Sequence, residues 1–195
     1  LSANGETVAI GAKFNDGNGA NSGHVRIFQF LSSGWTQLGG DIDGEAAGDE
    51  SGTSVSLSTD GRTVAIGAYL NDGTGTSTSS GHVRIYTYNG TTWSKLGSDI
   101  DGETANDWSG WSVSLSANGR TVAIGAVSND AGNANADNRG HVRIYSYNGS
   151  AWIQLGLDID GEAAGDESGR SVSLSANGRT VAIGATYNNG VNGVN

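Results

Sequence analysis

The chain contains no cysteine, and this absence excludes several kinds of protein. Without cysteine there is neither a disulfide bond nor a zinc site with thiolate ligands. No apolar run approaches the roughly 18 residues of a membrane span, so we expect no transmembrane segment in this chain. Basic residues are also scarce, because 20 acidic residues face 10 Lys and Arg, for a formal net charge of −10. Nucleic-acid binding needs clustered basic residues, so we expect no nucleic-acid partner.

Glycine is abundant, with 33 of the 195 residues. When glycine is counted with the apolar residues, the apolar share is about half, which is typical of globular proteins. No segment keeps the 3.6-residue periodicity of an amphipathic helix. The composition therefore predicts a folded chain without helical repeats.

The sequence repeats itself about every 58 residues. His24, His82 and His141 recur at this spacing, each followed by Val-Arg-Ile. Residues 41–68 and 158–185 differ at only three of 28 positions. A period of this length indicates a propeller, a solenoid or an array of small domains.

Each repeat contains four strand signals, which in residues 51–102 fall at 54–58, 63–68, 82–88 and 93–98. Asp60-Gly61 and Asn89-Gly90 predict tight hairpins, since both pairs tolerate positive φ. We therefore predict an all-β fold, a β-propeller of four-stranded antiparallel blades. The blades are residues 1–50 (partial), 51–109, 110–168 and 169–195 (partial). These make about three and a third blades, fewer than the four to eight of a closed ring, so we expect a segment of a larger propeller.

The alternation of strand direction predicts which loops lie together. The two tight turns of each blade share one rim, and the long loop between the second and third strands shares the other with the connection to the next blade. These long loops (13–23, 69–81 and 127–140) differ in sequence between repeats. A constant frame with variable loops is how scaffolds present binding surfaces.

Most of the acidic residues are concentrated in these connections between blades, in three acidic blocks of sequence D-I-D-G-E-x-x-x-D. Carboxylates on a flexible loop are ligands for calcium, but Asp residues also cap their own turns and keep an edge soluble. The pattern favours turns and solubility over a bound cation, and leaves both open. The candidate calcium ligands are Asp41, Asp43, Glu45, Asp49, Asp99, Asp101, Glu103, Asp107, Asp158, Asp160, Glu162 and Asp166.

The histidines lie at equivalent places on separate blades, so we do not expect them to converge on one metal. We predict a structural role, with each His hydrogen-bonded at the start of its strand. Arg26, Arg84 and Arg143 share the face of these histidines and are expected to pair with an acid or to stack on an aromatic ring.

Asn89 and Asn148 fit the N-glycosylation sequon on exposed hairpins, although Asn-Gly is equally explained by the turn. Trp35, Trp93 and Trp152 recur once per blade. They fit packing of the outer strand better than a sugar site.

The order of motifs resembles the FG-GAP repeat of integrin α-subunit propellers. Residues 110–113, 122–126 and 140–145 carry the pattern as G-x-S-V, VAIGA and GHVRIY. The resemblance implies a seven-bladed propeller that lies outside the cell and serves adhesion or ligand binding. The family's Asp-rich calcium loop between the first two strands is reduced here to Ser-x-Asp/Asn-Gly-Arg, so calcium is not carried over to those hairpins.

We therefore expect an extracellular or cell-surface adhesion module that presents an acidic rim to a protein or glycan partner. One alternative is a structural protein that assembles with further copies of itself, and another is a lectin. No cofactor is indicated apart from the calcium considered above. Since no nucleophile, base or phosphate-binding motif stands out, we expect that the chain is not an enzyme.

Overall fold

The computed structural model describes residues 1–73, 78–130 and 137–190. Parts of the long loops at 69–81 and 127–140, and the last five residues of the chain, lie outside these described residues. Within them the regular secondary structure consists of strands, and these residues contain no helix that is long and apolar enough to cross a bilayer. The strands are β1 Thr7–Ala12, β2 His24–Leu31, β3 Gly34–Gln37, β4 Ile42–Asp43, β5 Ser54–Leu57, β6 Thr63–Ala68, β7 His82–Tyr88, β8 Trp93–Lys95, β9 Ile100–Asp101, β10 Ser109–Leu115, β11 Thr121–Ala126, β12 His141–Tyr147, β13 Trp152–Gln154, β14 Ile159–Asp160, β15 Ser168–Leu174 and β16 Val181–Ala185.

The strands form successive antiparallel sheets, one per repeat. Two sheets are complete, in the orders β5-β6-β7-β8 and β10-β11-β12-β13. The first sheet contains β1-β2-β3, and the last contains β15 and β16. The prediction of an all-β propeller of four-stranded antiparallel blades is confirmed, with three to four blades in the chain.

In the first three blades the outer strand is longer than its sequence indicates. Trp93 pairs with Tyr88 at one end of β7, and Ile100 and Asp101 pair with Val83 and His82 at the other. The two short strands β8 and β9 are therefore one outer strand interrupted by a bulge, in which Gly97 has a φ of +80°. The acidic block was predicted as a loop, but its D-I-D segment is part of the sheet.

Hydrogen bonds tie each blade to the next along the inner strands. The Leu115 amide donates to Ser56 Oγ at 3.0 Å, and the Leu174 amide donates to Ser114 Oγ at 2.9 Å. At the predicted hairpin rim the Thr59 amide donates to the Ala117 carbonyl at 2.9 Å. The first strands of successive blades therefore lie side by side on the inner edge of the assembly.

The apolar core lies between the sheets. Val83 and Ile85 of β7 pack with Leu115 and Val122 of the next blade, and all four are buried. A second cluster joins the first blade to the second, with Val25, Ile27, Ile42, Val64 and Ile66. The second blade lies between these two clusters and thus buries both of its faces, as expected for packed sheets.

Glycine allows the inner strands to come this close. A Cβ on Gly67 of β6 would lie 2.0 Å from the carbonyl oxygen of Gly110 in the next blade. Gly11 and Gly125 approach the next blade equally closely, so the glycine of the VAIGA motif specifies the spacing between these blades as well as the strand itself.

Candidate functional site

One rim of the blades is built from the long loops and the acidic blocks. The Gly102 amide donates to the Gly81 carbonyl at 2.7 Å, which joins the acidic block to the end of the long loop in the same blade. Gly44 and Gly161 make the equivalent bonds at 2.8 Å in the neighbouring blades. The structure therefore places both segments on one rim, as the strand directions predict.

The last acid of each block caps a turn. The side chain of Asp107 is buried and accepts the Thr104 amide at 2.8 Å. Asp49 and Asp166 accept the equivalent amides at 2.9 and 2.8 Å. These three carboxylates fulfil the turn role that the sequence favours.

The first acid of each block faces the histidine of its own blade. Asp158 accepts Gln154 Nε2 on Oδ1 at 2.6 Å, while its Oδ2 lies 3.9 Å from His141 Nδ1. Asp41 Oδ2 lies 3.6 Å from His24 Nδ1 in the same arrangement. Asp99 holds Lys95 Nζ at 2.9 Å.

The second aspartate and the glutamate are the two middle acids of each block. The side chains of Asp43 and Asp160 are exposed, and the backbone carbonyls of Asp43 and Asp101 accept an arginine of the next blade at 2.7 Å. Glu162 Oε2 accepts Asn188 Nδ2 at 3.3 Å. The acids of one block thus point to different partners, and calcium at these blocks stays a prediction.

Glu45 and Glu103 reach across to the next blade. Glu103 Oε2 lies 3.9 Å from His141 Nδ1, and its Oε1 lies 3.6 Å from Arg143 Nη1. Glu45 makes the same two contacts with His82 and Arg84, at 3.9 and 3.5 Å. Glu45, His82 and Asp99 therefore form one inter-blade cluster, and Glu103, His141 and Asp158 form a second.

The histidines of these clusters differ from the expectation. They do not converge on each other, as predicted, but the predicted hydrogen bonds are missing. Among the described residues His141 has no hydrogen-bond partner on either ring nitrogen, and His82 has none on Nε2. Burial lowers the pKa of His82 to about 4, helped by the neighbouring Arg84, and it also lowers the pKa of His141. Both imidazoles are consequently neutral at pH 7.

The arginines behave as expected, because each finds an acid or an aromatic ring. Arg84 and Arg143 combine the glutamate contact with stacking over Tyr86 and Tyr145, at 5.7 and 5.5 Å from the ring centres. Arg26 stacks over Phe28 at 5.7 Å.

The candidate asparagines and two of the candidate tryptophans make hydrogen bonds to the backbone. Asn89 Oδ1 accepts the amides of Thr91 and Thr92 at 2.9 Å, and Asn148 Oδ1 accepts the equivalent two amides. Both asparagines lie on exposed turns, and their glycosylation stays a prediction. Trp93 and Trp152 donate Nε1 to carbonyls of the preceding blade at 2.8 and 2.7 Å, whereas Trp35 is half exposed.

Sequence reasoning missed a row of aromatic and charged side chains at the inner edge of the same rim. Trp108 occupies the position that is Glu50 and Glu167 in the neighbouring repeats, and Trp111 occupies the position of Thr53 and Arg170. These substitutions break an otherwise regular repeat, and that break is the signal that could have revealed the row.

The row continues from blade to blade through direct contacts. The ring centres of Trp108 and Trp111 are 5.8 Å apart with nearly parallel planes, and Tyr69 lies edge-on to both at 5.7 and 4.9 Å. Arg170 lies 4.9 Å above the Trp111 ring, and Lys13 lies 5.6 Å from the Tyr69 ring. We call these five residues the aromatic row.

A glutamate fixes one end of the aromatic row. Glu50 Oε2 accepts Lys13 Nζ at 2.8 Å and the Tyr69 hydroxyl at 3.0 Å. This hydrogen bond raises the pKa of Lys13, and burial raises the pKa of Tyr69. Glu50 therefore fixes the positions of Lys13 and Tyr69 in the aromatic row.

The backbone beside the aromatic row adopts an uncommon conformation. Trp108 has a φ of +58°, and Glu50 and Glu167 have 52° and 50° at the same place in their repeats. A left-handed conformation costs a non-glycine residue about 1 to 3 kcal/mol. The surrounding rim must hold it in place, and it turns the side chain at this position towards the row.

Residues 42–86 match the FG-GAP repeat family, and the same motifs recur in the neighbouring repeats. The repeats of this chain are similar to the FG-GAP repeat. The predicted resemblance is thereby confirmed for the repeat and for the propeller fold. A search of curated proteins by sequence gave no significant match.

Solved structures with low sequence identity share the fold of these FG-GAP-like repeats. A putative 6-phosphogluconolactonase from Bacteroides uniformis aligns with a TM-score of 0.53 at 14% identity, over 84% of this chain and 44% of that chain. Hydrazine synthase from Kuenenia stuttgartiensis aligns with 0.53 at 14% identity, over 93% and 39%. The periplasmic gluconolactonase PpgL from Pseudomonas aeruginosa aligns with 0.52 at 12% identity, over 91% and 46%. The chain thus spans less than half the length of each.

These structures correct one expectation. We expected that the chain is not an enzyme, because its repeats carry no catalytic motif. That exclusion is wrong, since two of these propellers are described as lactonases. A propeller scaffold can therefore support catalysis, and the absence of a motif does not decide the matter.

Proposed function

We propose that the FG-GAP-like repeats form an extracellular interaction module, which binds a protein or glycan partner through the rim that carries the long loops. The match to FG-GAP repeats supports a role in protein interaction and a place outside the cell in general terms. The aromatic row carries the proposal, because Trp108 and Trp111 break an otherwise regular repeat. Binding sites depend on such departures from a regular scaffold.

The chemistry of the aromatic row suits recognition. Tryptophan, tyrosine and arginine are the residues that dominate binding energy at interfaces. In this row Trp108, Trp111 and Tyr69 are partly buried rather than fully covered, and Arg170 stacks on one of them. Aromatic rings of this kind also stack on sugars, so protein and glycan partners share the same proposed surface.

The acidic blocks surround this surface on its outer side. Exposed residues at the tip of each block, such as Glu45, Glu103 and Glu162, give the rim a negative potential. Such a field speeds the approach of a partner with a basic surface and weakens with added salt. We therefore expect binding whose rate depends on salt and whose strength depends on the aromatic row.

The test is a binding screen with a matched pair of tryptophan variants. The labelled chain is applied to a glycan array and to a panel of purified extracellular matrix proteins, and each hit is measured again with the Trp108→Ala/Trp111→Ala variant. Loss of interface tryptophans should weaken binding at least tenfold. Trp35→Ala, on the half-exposed outer strand, is the control and should bind as the unchanged chain does.

Two results would overturn the proposal. One is a complete lack of hits on both arrays, and the other is a hit that both tryptophan variants bind equally well. Urea unfolding of each variant shows that a loss of binding is not a loss of folding. Arg170→Gln provides a second, milder change in the same row.

A further inference from the structure

We infer that each of the first two junctions between blades is a binding site for a divalent transition-metal ion of the zinc type, with ligands from two neighbouring blades. The first such site is formed by Glu103, His141 and Asp158, and the second by Glu45, His82 and Asp99. This inference does not depend on the proposed function.

The ligand atoms of the first site already face one another. His141 Nδ1 lies 3.9 Å from Glu103 Oε2 and 3.9 Å from Asp158 Oδ2. Zinc holds nitrogen and oxygen ligands at about 2.0 to 2.2 Å, which separates tetrahedral ligands by about 3.4 Å. A closure of about 0.5 Å on each side is needed for that geometry. The Glu103 and Asp158 side chains are 42% and 30% exposed, which leaves them room to make it.

The histidine provides an independent indication of a ligand. The side chain of His141 is only 1% exposed, and neither ring nitrogen has a hydrogen-bond partner among the described residues. A buried polar atom without a partner is costly and calls for an explanation. A metal ion on Nδ1 supplies that partner.

The carboxylates are arranged as metal ligands usually are. Each has one oxygen facing the histidine and the other held by a neighbour, because Arg143 contacts Glu103 Oε1 at 3.6 Å and Gln154 donates to Asp158 Oδ1 at 2.6 Å. Such outer contacts fix the orientation of metal ligands in proteins.

The same arrangement recurs one blade earlier. His82 is 2% exposed in its side chain and lies 3.9 Å from Glu45 Oε2, and Lys95 takes the place of the glutamine beside Asp99. The first blade provides an internal control. His24 faces Asp41 and Asp43 at 3.6 and 3.9 Å, both from its own blade, and the described residues place no glutamate of a preceding blade beside it.

The ligand set selects the metal. One imidazole with two carboxylates suits zinc and similar first-row ions, whereas calcium takes six to eight oxygen ligands and rarely nitrogen. Three protein ligands leave a position for water or for a group of a partner molecule.

The experiment is a titration of the intact chain with zinc, followed by calorimetry, and with cobalt, followed by its visible absorption. We expect two ions per chain. Glu45→Gln and Glu103→Gln should each leave one ion and together none, while His24→Gln should keep both. Both glutamates are exposed, so these variants avoid a change in the core. Zinc should also raise the melting temperature of the unchanged chain, and a chelator should reverse the rise.

Three results would overturn the inference. The first is an absence of saturable zinc binding. The second is a stoichiometry that the glutamine variants leave unchanged, which would mean adventitious binding to the acidic blocks. The third is displacement of zinc by an equal concentration of calcium, which would point to a site made of oxygens alone. His141→Gln, confirmed as folded by circular dichroism, tests the nitrogen ligand directly and should remove one ion.

Discussion

The position of the apolar core can be tested with one residue of the repeat, the isoleucine of the D-I-D segment. Ile42 and Ile100 are 6% and 5% exposed, whereas Ile159 is 40% exposed in the same local sequence. The first two are covered by the next sheet. Ile159 faces the last sheet, in which the described residues form only β15 and β16. The three isoleucines therefore differ in how much of the side chain the neighbouring blade covers.

The structure indicates the size of the effect. Replacing a buried isoleucine by alanine costs about 2 to 5 kcal/mol, from lost burial and from the cavity that remains. Ile100 lies in the cluster between the second and third blades, so we expect about 3 kcal/mol for Ile100→Ala. Ile159 already contacts water, and for Ile159→Ala we expect about 1 kcal/mol.

Urea unfolding measures both changes in free energy. Tryptophan fluorescence is a suitable signal, because Trp152 packs against the cluster that contains Ile100. Ile42→Ala should resemble Ile100→Ala. Equal losses for Ile100→Ala and Ile159→Ala would refute the reasoning, since the core would then lie within each sheet and not between sheets.

Three further predictions concern the junctions between blades. Gly67→Ala should prevent normal folding, because the new Cβ would lie 2.0 Å from a carbonyl of the next blade, while Gly40→Ala, with open space around it, should fold normally by circular dichroism. The free energy of unfolding should fall as the pH drops from about 6.5 towards 4, because burial lowers the pKa of His82 to about 4 and folding therefore opposes its protonation. The loss should approach about 3 kcal/mol. Urea unfolding of His82→Gln should show a weaker dependence on pH. Trp152→Phe should cost about 1 kcal/mol in urea unfolding, because it removes the indole hydrogen bond to the preceding blade. An unchanged midpoint would contradict that role.

The strands could be predicted from sequence because each depends on local pattern. The alternation in residues 82–88 and the flat VAIGA strand specify their own faces, and the structure has strands at both places. The extension of the outer strand was not predicted. A bulge at Gly97 interrupts the alternation of the strand. The residues after it are acidic and have the composition of a loop, although Ile100 and Asp101 pair with β7.

The candidate site could be predicted only in part. The gathering of the acidic blocks on one rim follows from strand direction, which the repeat reveals. The contact between Glu103 and His141 depends on how one blade is placed against the next, and no local pattern specifies this. The aromatic row was overlooked for a different reason. The repeat pattern is defined by the residues that the repeats share, and Trp108 and Trp111 occur in one repeat alone.

The most direct test of the central claim, that successive repeats are radial blades with their acidic blocks on one rim, uses spin labels at the exposed tips of those blocks. The chain has no cysteine, so Ala47→Cys, Ala105→Cys and Ala164→Cys can be labelled in pairs and the distances measured by pulsed electron paramagnetic resonance. Our account predicts two equal distances between neighbouring blades, and a distance from the first tip to the third that is clearly shorter than their sum. Three tips on a straight line, with the third distance equal to the sum of the other two, would contradict it.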